Sequence, residues 1–481
     1  MSIPIFNWQA ESQFLGRSET MLELEEWWKD NTADPLNLFG RRRVGKSWLF
    51  RKLAHGKKAI ILVAEKTTPA QQLSKMAEQL EPFLGVRPAI RDVGDLFLIL
   101  YKIAEQEKIL IVVDEFPDLL GSSKVEITKS LSAVQAAIEK GKDSSKIKLI
   151  LCGSALAQME SMQELKSPLH GRLRRFELSP LTFSEARDFF QGDDVIDHLT
   201  RYSVSGGMPK YLAHLSSGDF AKAVCDKIVS PNSPLYNEVE SLLESELRDP
   251  ATYFAILAEL TIRPKETREI AEAIGKETKL ISEYLNTLQV LRIIRKKLPV
   301  GADPKSRSNQ WECIDGFIRF CFRFVLPYKA HLEAGADARI HVSNHIMPVI
   351  AEHTSLEFER VFRRWVSQNF PTAAHVGNWW GKAIHGLAHS TEEIDLIGIK
   401  GKKVILLGEA KWQNEKLKVA VHSQLVTNKI PALEAAGLLV PSSRVVILAS
   451  RSGFTKEVLD LANSDPLVQL IEATDLLRGV V

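Results

Sequence analysis

The segment F-G-R-R-R-V-G-K-S-W-L, residues 39–49, constrains this chain more than any other stretch. Gly40, Gly45, Lys46 and Ser47 fill every fixed position of the pattern G-x-x-x-x-G-K-[ST]. Glycines let the backbone bend until successive N–H groups face a phosphate chain, the lysine ammonium reaches the β and γ phosphates, and the hydroxyl can ligate Mg²⁺. A helix starting near Lys46 turns the positive end of its dipole toward the same anion. The intervening Arg41, Arg42, Arg43 and Val44, and Trp48 just beyond, complete the candidate nucleotide-binding loop. A Gly-containing basic turn would read the same in isolation, so the surroundings decide.

They supply a strand at 36–39, a helix to about residue 53 and a second strand at 59–63. Residues 109–115, I-L-I-V-V-D-E, are a continuous apolar run ending in two carboxylates, as expected of a parallel strand buried on both faces. Chemistry in such sheets sits at the carboxyl ends of the strands. Asp114 is the candidate for the Mg²⁺ hydration shell, and Glu115 for orienting and deprotonating the attacking water. The plainer alternative is that either carboxylate only caps the next element. A strand at 148–152 leads to Gly153 and Ser154, a candidate polar sensor of the γ phosphate. In S-P-L-H-G-R-L-R-R-F, Arg172 is the candidate for stabilising transition-state charge, whereas Arg174 and Arg175 read as a solvated strand edge.

The series L-G-R-S-E, F-G-R-R-R-V-G-K-S, V-V-D-E-F, C-G-S, H-G-R and G-G-M-P-K-Y-L resembles the archaeal-type ATPases of the AAA+ and STAND branch of phosphate-loop NTPases. The resemblance implies ATP and Mg²⁺ as ligands, hydrolysis to ADP and phosphate, and a helical lid. It implies that Arg17 lies beside the nucleotide base and that Gly207 and Pro209 belong to the lid over it. Ser47 stands where threonine is common and keeps the metal-binding hydroxyl. Relatives of this kind include ring-forming assemblies, so a homo-oligomer with Arg172 acting in trans is one expectation and a monomer another.

Over 481 residues the remaining chain has room for two more domains. A net charge of +2 gives no global attraction to nucleic acid or membrane, so any basic surface is local. The four cysteines form no C-x-x-C pair, which reads as a reducing compartment without structural zinc. No run of 18 apolar residues spans a bilayer and no basic-then-apolar leader opens the sequence, so we expect a cytoplasmic protein without membrane contact.

Residues 236–345 read as a connector followed by an all-α-rich winged helix-turn-helix. Its pattern is helix, short helix, longer helix, with Ile281, Leu285, Leu288 and Leu291 as the apolar stripe, and strands at 293–298 and 310–314 as the wing. Lys276, Lys279, Ser282 and Tyr284, with Arg295, Lys296 and Lys297 on the wing, are candidate DNA contacts. Residues 251–300 carry nine Lys or Arg against six Asp or Glu, a mild excess that suits an interdomain packing module equally well.

In residues 346–481 a helix carrying Glu359 precedes two strands, 392–399 and 403–412, joined by a tight K-G-K turn. Alternate residues share a strand face, so Glu393 with Asp395, and Glu409 with Lys411, converge on one sheet surface. The constellation resembles the PD-(D/E)XK nuclease superfamily. That resemblance implies an α/β restriction-endonuclease-like fold, with Asp395, Glu409 and Glu359 at a Mg²⁺ site and Lys411 assisting hydroxide formation. A cross-strand salt bridge worth at most about 1 kcal/mol is the plainer alternative.

The sequence therefore points to a phosphate-loop ATPase domain with parallel sheet and lid (1–235), a winged-helix connector (236–345) and a nuclease-like domain (346–481). Nucleotide state would act on a DNA-associated, nucleolytic C-terminal domain. The alternative is a nucleotide-switched regulator whose C-terminal domain binds a partner without cutting DNA.

Overall fold

The computed structural model describes residues 3–32, 34–247, 249–303, 309–384 and 390–480. The chain divides into two compact units, one of Met1–Leu181 with Met208–Lys210, the other of Thr182–Gly207 with Tyr211–Val481.

The first unit is built on five strands: β1 (Leu36–Phe39), β2 (Ala59–Val63), β3 (Ile109–Asp114), β4 (Ile147–Gly153) and β5 (Arg174–Glu177). Their order is β2-β3-β4-β1-β5 and every pairing is parallel. β3 is buried along its whole length, which is why its sequence is unbroken Ile, Leu and Val rather than alternating. The order sets the ends of β3, β4 and β1 side by side, and with them Asp114, Ser154 and Gly40. The expected strand at 109–115 runs one residue too far. β3 stops at Asp114, and Glu115 takes φ 50° to turn the chain into the short helix Phe116–Leu119, where Pro117 has no N–H to extend a ladder.

In the second unit, helices Pro250–Ile262, Thr267–Ile274 and Thr278–Val290 precede an antiparallel hairpin of β6 (Ile294–Lys297) and β7 (Gln310–Cys313). Ile281, Leu285 and Leu288 are buried as the spacing requires. Leu291 is only half-buried because the helix ends at Val290 and leaves it at the cap, so the apolar stripe is one position shorter than expected.

The helix Ile350–Asn369 then leads into β8 (His375–Lys382), β9 (Thr391–Lys400), β10 (Lys403–Lys411), β11 (Val445–Ser450) and β12 (Val468–Glu472), ordered β12-β11-β10-β9-β8. β8, β9 and β10 are antiparallel neighbours, whereas β10, β11 and β12 are parallel. Gly401, at φ 63°, makes the tight turn between β9 and β10. Ile394, Ile397, Leu407, Leu425, Leu433 and Leu448 form part of the core on one side of this sheet.

Between the helix Gly316–Phe324 and Ile350–Asn369, the imidazole of His353 is packed edge-on against Phe320 and donates from Nε2 to the Ser203 carbonyl at 3.0 Å. Burial, and then the positive charge of Arg319, lowers its pKa from 6.5 to about 3. An unfolded chain therefore binds a proton below pH 6.5 that the folded one refuses, and stability falls as pH drops from 6.5 toward 3. His353→Gln keeps a donor without the titration. Its thermal-melting temperature should decline less steeply than wild type between pH 6.5 and 4.5.

Candidate functional site

The loop between β1 and the helix Lys46–Ala54 is held by close approach and unusual dihedrals. A Cβ on Gly40 would lie 2.4 Å from the Leu178 carbonyl oxygen, so no larger residue fits without moving backbone. Gly45 has φ 97° and Arg43 φ 68°, conformations that bend the loop into a concave path. Gly40→Ala should accordingly reduce nucleotide affinity at least about tenfold, measured by calorimetric titration, with a lowered melting temperature.

Lys46, 7% exposed, donates from Nζ to the carbonyls of Gly40 at 2.8 Å and Arg41 at 3.1 Å. The Ser47 hydroxyl donates to Asp114 Oδ2 at 3.3 Å, joining the loop to the end of β3. Arg17, buried, donates to the carbonyls of Val44 at 3.0 Å and Ser179 at 2.6 Å, so it braces the loop from behind. Val44 is fully buried. Trp48 is 42% exposed and meets Trp8 edge to face at 5.0 Å. Pro209 comes within 3.6 Å of where a Gly45 Cβ would stand. Its neighbour Lys210 has its amine pKa lowered by burial and by the charge of Arg43. The sequence reading did not single out Lys210. The signal was its place directly after Pro209.

Glu115 is held by Ser154, whose N–H and hydroxyl reach its two carboxylate oxygens at 3.1–3.2 Å. Gly40, Lys46, Ser47, Asp114, Glu115 and Ser154 are thus gathered at the carboxyl ends of β1, β3 and β4. Arg172 is turned elsewhere: it donates to Glu139 at 2.8 Å and to the carbonyls of Pro168 and His170. Arg42 acts on Asp118, a half-buried carboxyl raised by burial against the pull of Lys66 and Arg42.

The second cluster lies on β9 and β10, whose register pairs Gly408 with Leu396 and so sets Asp395 near Glu409. Lys411 Nζ donates to Asp395 Oδ2 at 3.1 Å and Glu409 Oε2 at 2.8 Å. Asp395 Oδ2 also accepts the Ala410 N–H at 2.9 Å. Glu409 is 1% exposed, and its other oxygen accepts from Lys429 at 2.6 Å. Arg363 donates to the Asp395 carbonyl at 2.8 Å and lies 3.5 Å from Glu359. Burial pushes the Glu359 carboxyl up to about 7, aided by the Asp395 charge and opposed by Arg363. Burial and Asp395 likewise raise Glu409. For Asp395, burial acts upward, but Lys411 and the Ala410 N–H outweigh it and hold the carboxyl below its ordinary range. Glu393 is left at the margin, paired with Lys297 at 3.7 Å and Asn378 at 3.4 Å.

Asp395, Glu409 and Lys411 thus come together, with Glu359 close enough to feel them. Among the described residues no group of three or more His, Cys, Asp or Glu side chains is spaced to hold a metal ion. Lys411 stands between Asp395 and Glu409 instead, and Lys429 takes the other oxygen of Glu409. Lys429 was missed because it stands 18 residues beyond Lys411, in a helical stretch with no period-two pattern to tie it to the sheet.

The helix and hairpin residues expected to meet DNA are partly engaged within the unit. Arg295 pairs with Glu312, Lys297 lies near Glu312 and 5.0 Å over the Trp380 ring, and Tyr284 packs on Tyr253 at 4.6 Å. Lys276, Lys279 and Lys296 are exposed. All four cysteines are free thiols in buried positions. Among the described residues, no helix is long and apolar enough to cross a membrane.

Residues 14–215 match the model of an ATPase domain found predominantly in Archaea, and residues 321–423 match a family of archaeal and bacterial proteins of unknown function. The uncharacterized protein MJECL04 of Methanocaldococcus jannaschii is 27% identical over 412 residues, 84% of this chain and 88% of that one. The uncharacterized ATP-binding protein MJ0423 of the same organism is 44% identical over 45 residues, 9% of this chain and 76% of that one. Among solved structures, the Walker-type ATPase paby2304 of Pyrococcus abyssi aligns with a TM-score of 0.51 at 17% identity, over 67% of this chain and 100% of that one. That likeness speaks to fold, and the matched domain carries the chemistry that the loop geometry suits: residues 14–215 are an archaeal-type phosphate-loop ATPase domain.

Proposed function

We propose that this ATPase uses its nucleotide state to control a DNA-associated, nucleolytic C-terminal domain, in a three-part chain of ATPase with lid (1–235), winged-helix connector (236–345) and PD-(D/E)XK-like domain (346–481). The observation that carries the C-terminal half of this reading is the Lys411 ammonium bridging Asp395 and Glu409 across adjacent strands.

In the ATPase site, the N–H groups of the loop and Lys46 bind the phosphates, Arg17 and Pro209 frame the loop, and Trp48 offers an aromatic edge beside it. Ser47 and Asp114, hard oxygen donors already in contact, suit Mg²⁺, which would neutralise phosphate charge. Glu115 takes the proton of the attacking water, and Ser154 positions Glu115 and senses the γ phosphate. Arg172, held by Glu139, would have to leave that contact to reach transition-state charge, whether in its own chain or on a neighbouring copy.

In the C-terminal domain, Asp395 and Glu409 with Glu359 are oxygen donors of the kind a divalent cation takes, and such an ion would supply a polarised water and charge for the scissile phosphate. Lys411 steadies both carboxylates and would stabilise a pentavalent phosphate.

Incubation of the protein with linear, circular and single-stranded DNA in Mg²⁺ or Mn²⁺ tests this. Cleavage is expected, with loss in Asp395→Ala and in Lys411→Ala. Absence of cleavage under every condition would favour a second reading, a nucleotide-switched regulator that binds a partner without cutting. That reading draws on the occupation of both Glu409 oxygens by lysines and on the pairing of Arg295 and Lys297 within the unit.

A further inference from the structure

Lys429 lies outside the trio of Asp395, Glu409 and Lys411, yet its ammonium makes the shortest ionic contact at Glu409. Glu409 is almost wholly shielded from water, so both of its oxygens need a donor. Lys411 satisfies Oε2 and Lys429 satisfies Oε1. Counting Asp395, the two carboxylates and two ammonium groups balance, and Glu359 faces Arg363 at 3.5 Å, so the pocket is electrically satisfied without any added ion.

The two lysines are held differently. Lys411 is the last residue of β10, pairs in register with Ser450, and bridges both carboxylates. Lys429 ends a π turn, Leu425–Lys429, lying between the helices Val419–Gln424 and Ile430–Ala435. Pro431 lacks the N–H that an α-helical ladder needs there, and the Ile430 N–H donates five residues back to Leu425. Such turns are irregularities within a helix and recur at functional sites. Lys429 also makes one ionic contact, where Lys411 makes two.

We infer that Lys429 is an internal counter-cation of this site: it occupies Glu409 while no metal is bound, and a divalent cation reaches Glu409 and Asp395 only as the Lys429 side chain swings off. The inference rests on the proposed reading of Asp395 and Glu409 as a cation-binding pair, and it makes metal entry and lysine release one event. A positive charge within a few ångströms of a poorly hydrated cation site weakens cation binding strongly.

Mn²⁺ binding to the nucleotide-free full chain, read from the loss of the free-ion electron paramagnetic resonance signal, tests this without any activity assay. Asp395→Asn defines the part of the binding that belongs to this site. Lys429→Met should tighten that part by at least about tenfold, and Lys418→Met, a change at an exposed lysine paired with Glu415, should leave it unchanged. A second measurement uses the unaltered protein, in case Lys429→Met folds poorly. Acetylation of Lys429 by a water-soluble ester, followed by peptide mass spectrometry, should rise severalfold on adding Mg²⁺ in wild type and not in Asp395→Asn.

Wild-type Mn²⁺ affinity in a folded Lys429→Met, or Lys429 labelling indifferent to Mg²⁺ while Asp395-dependent binding persists, would overturn the counter-cation role and leave the cation pair standing. No Asp395-dependent binding in either wild type or Lys429→Met would overturn both together.

Discussion

Lys46→Ala is expected to lower ATP turnover at least about a hundredfold and to weaken nucleotide binding with it. Lys46 is buried, and its ammonium spans the loop by holding the carbonyls of Gly40 and Arg41. Exchange of those two bonds for phosphate oxygens keeps the ammonium satisfied and brings its charge onto the anion. Removing a preorganised donor of this kind typically costs about 10²–10³ in rate. The fixed space around Nζ also means that Lys46→Arg should fail to restore activity, since a guanidinium is broader and its donors diverge. Phosphate release and calorimetric titration of ATP measure the two effects. Turnover within about threefold of wild type would remove Lys46 from the site.

Glu115→Gln should separate binding from chemistry. The amide oxygen can still accept from the Ser154 N–H and hydroxyl, so the residue keeps its place while losing its basicity. Loss of a positioned general base costs about 10²–10⁴ in rate. ATP hydrolysis should therefore fall by about that factor with affinity within about threefold of wild type, and ATP should remain intact on the purified variant. If turnover and affinity fell together, the role of Glu115 would be structural.

The two halves of the chain differed in how far their residues announced them. The nucleotide unit was legible because its candidate site residues stand in short runs at strand ends: Gly40 to Ser47 after β1, Asp114 and Glu115 at the end of β3, and Ser154 after β4, each marked by an apolar run, and parallel order brings the strand ends together. Arg172 shows the limit, because its environment depends on Glu139, distant in sequence and set by a helix register that a motif does not encode. In the C-terminal unit, β9 and β10 alternate well enough to be read, and Asp395, Glu409 and Lys411 followed. β8 was missed because Gly377, Asn378 and Gly381 interrupt it and its register shifts between Gly377 and Trp379, which destroys the period of two. β12 is a short strand at the sheet edge with mixed burial. Lys429 could be found only from tertiary structure, since nothing local ties a π turn to Glu409 across the sheet.

The proposed dependence of the C-terminal domain on nucleotide is tested most directly by its Mg²⁺-supported action on DNA in defined nucleotide states. Cleavage and binding of linear duplex DNA should be compared for Glu115→Gln saturated with ATP, for wild type with ADP, and for Lys46→Ala with either nucleotide. The account predicts at least about a tenfold difference in DNA cleavage or affinity between the ATP-held and ADP-held proteins, and none between the two nucleotides in Lys46→Ala. Equal DNA cleavage and binding in all of these states would contradict it.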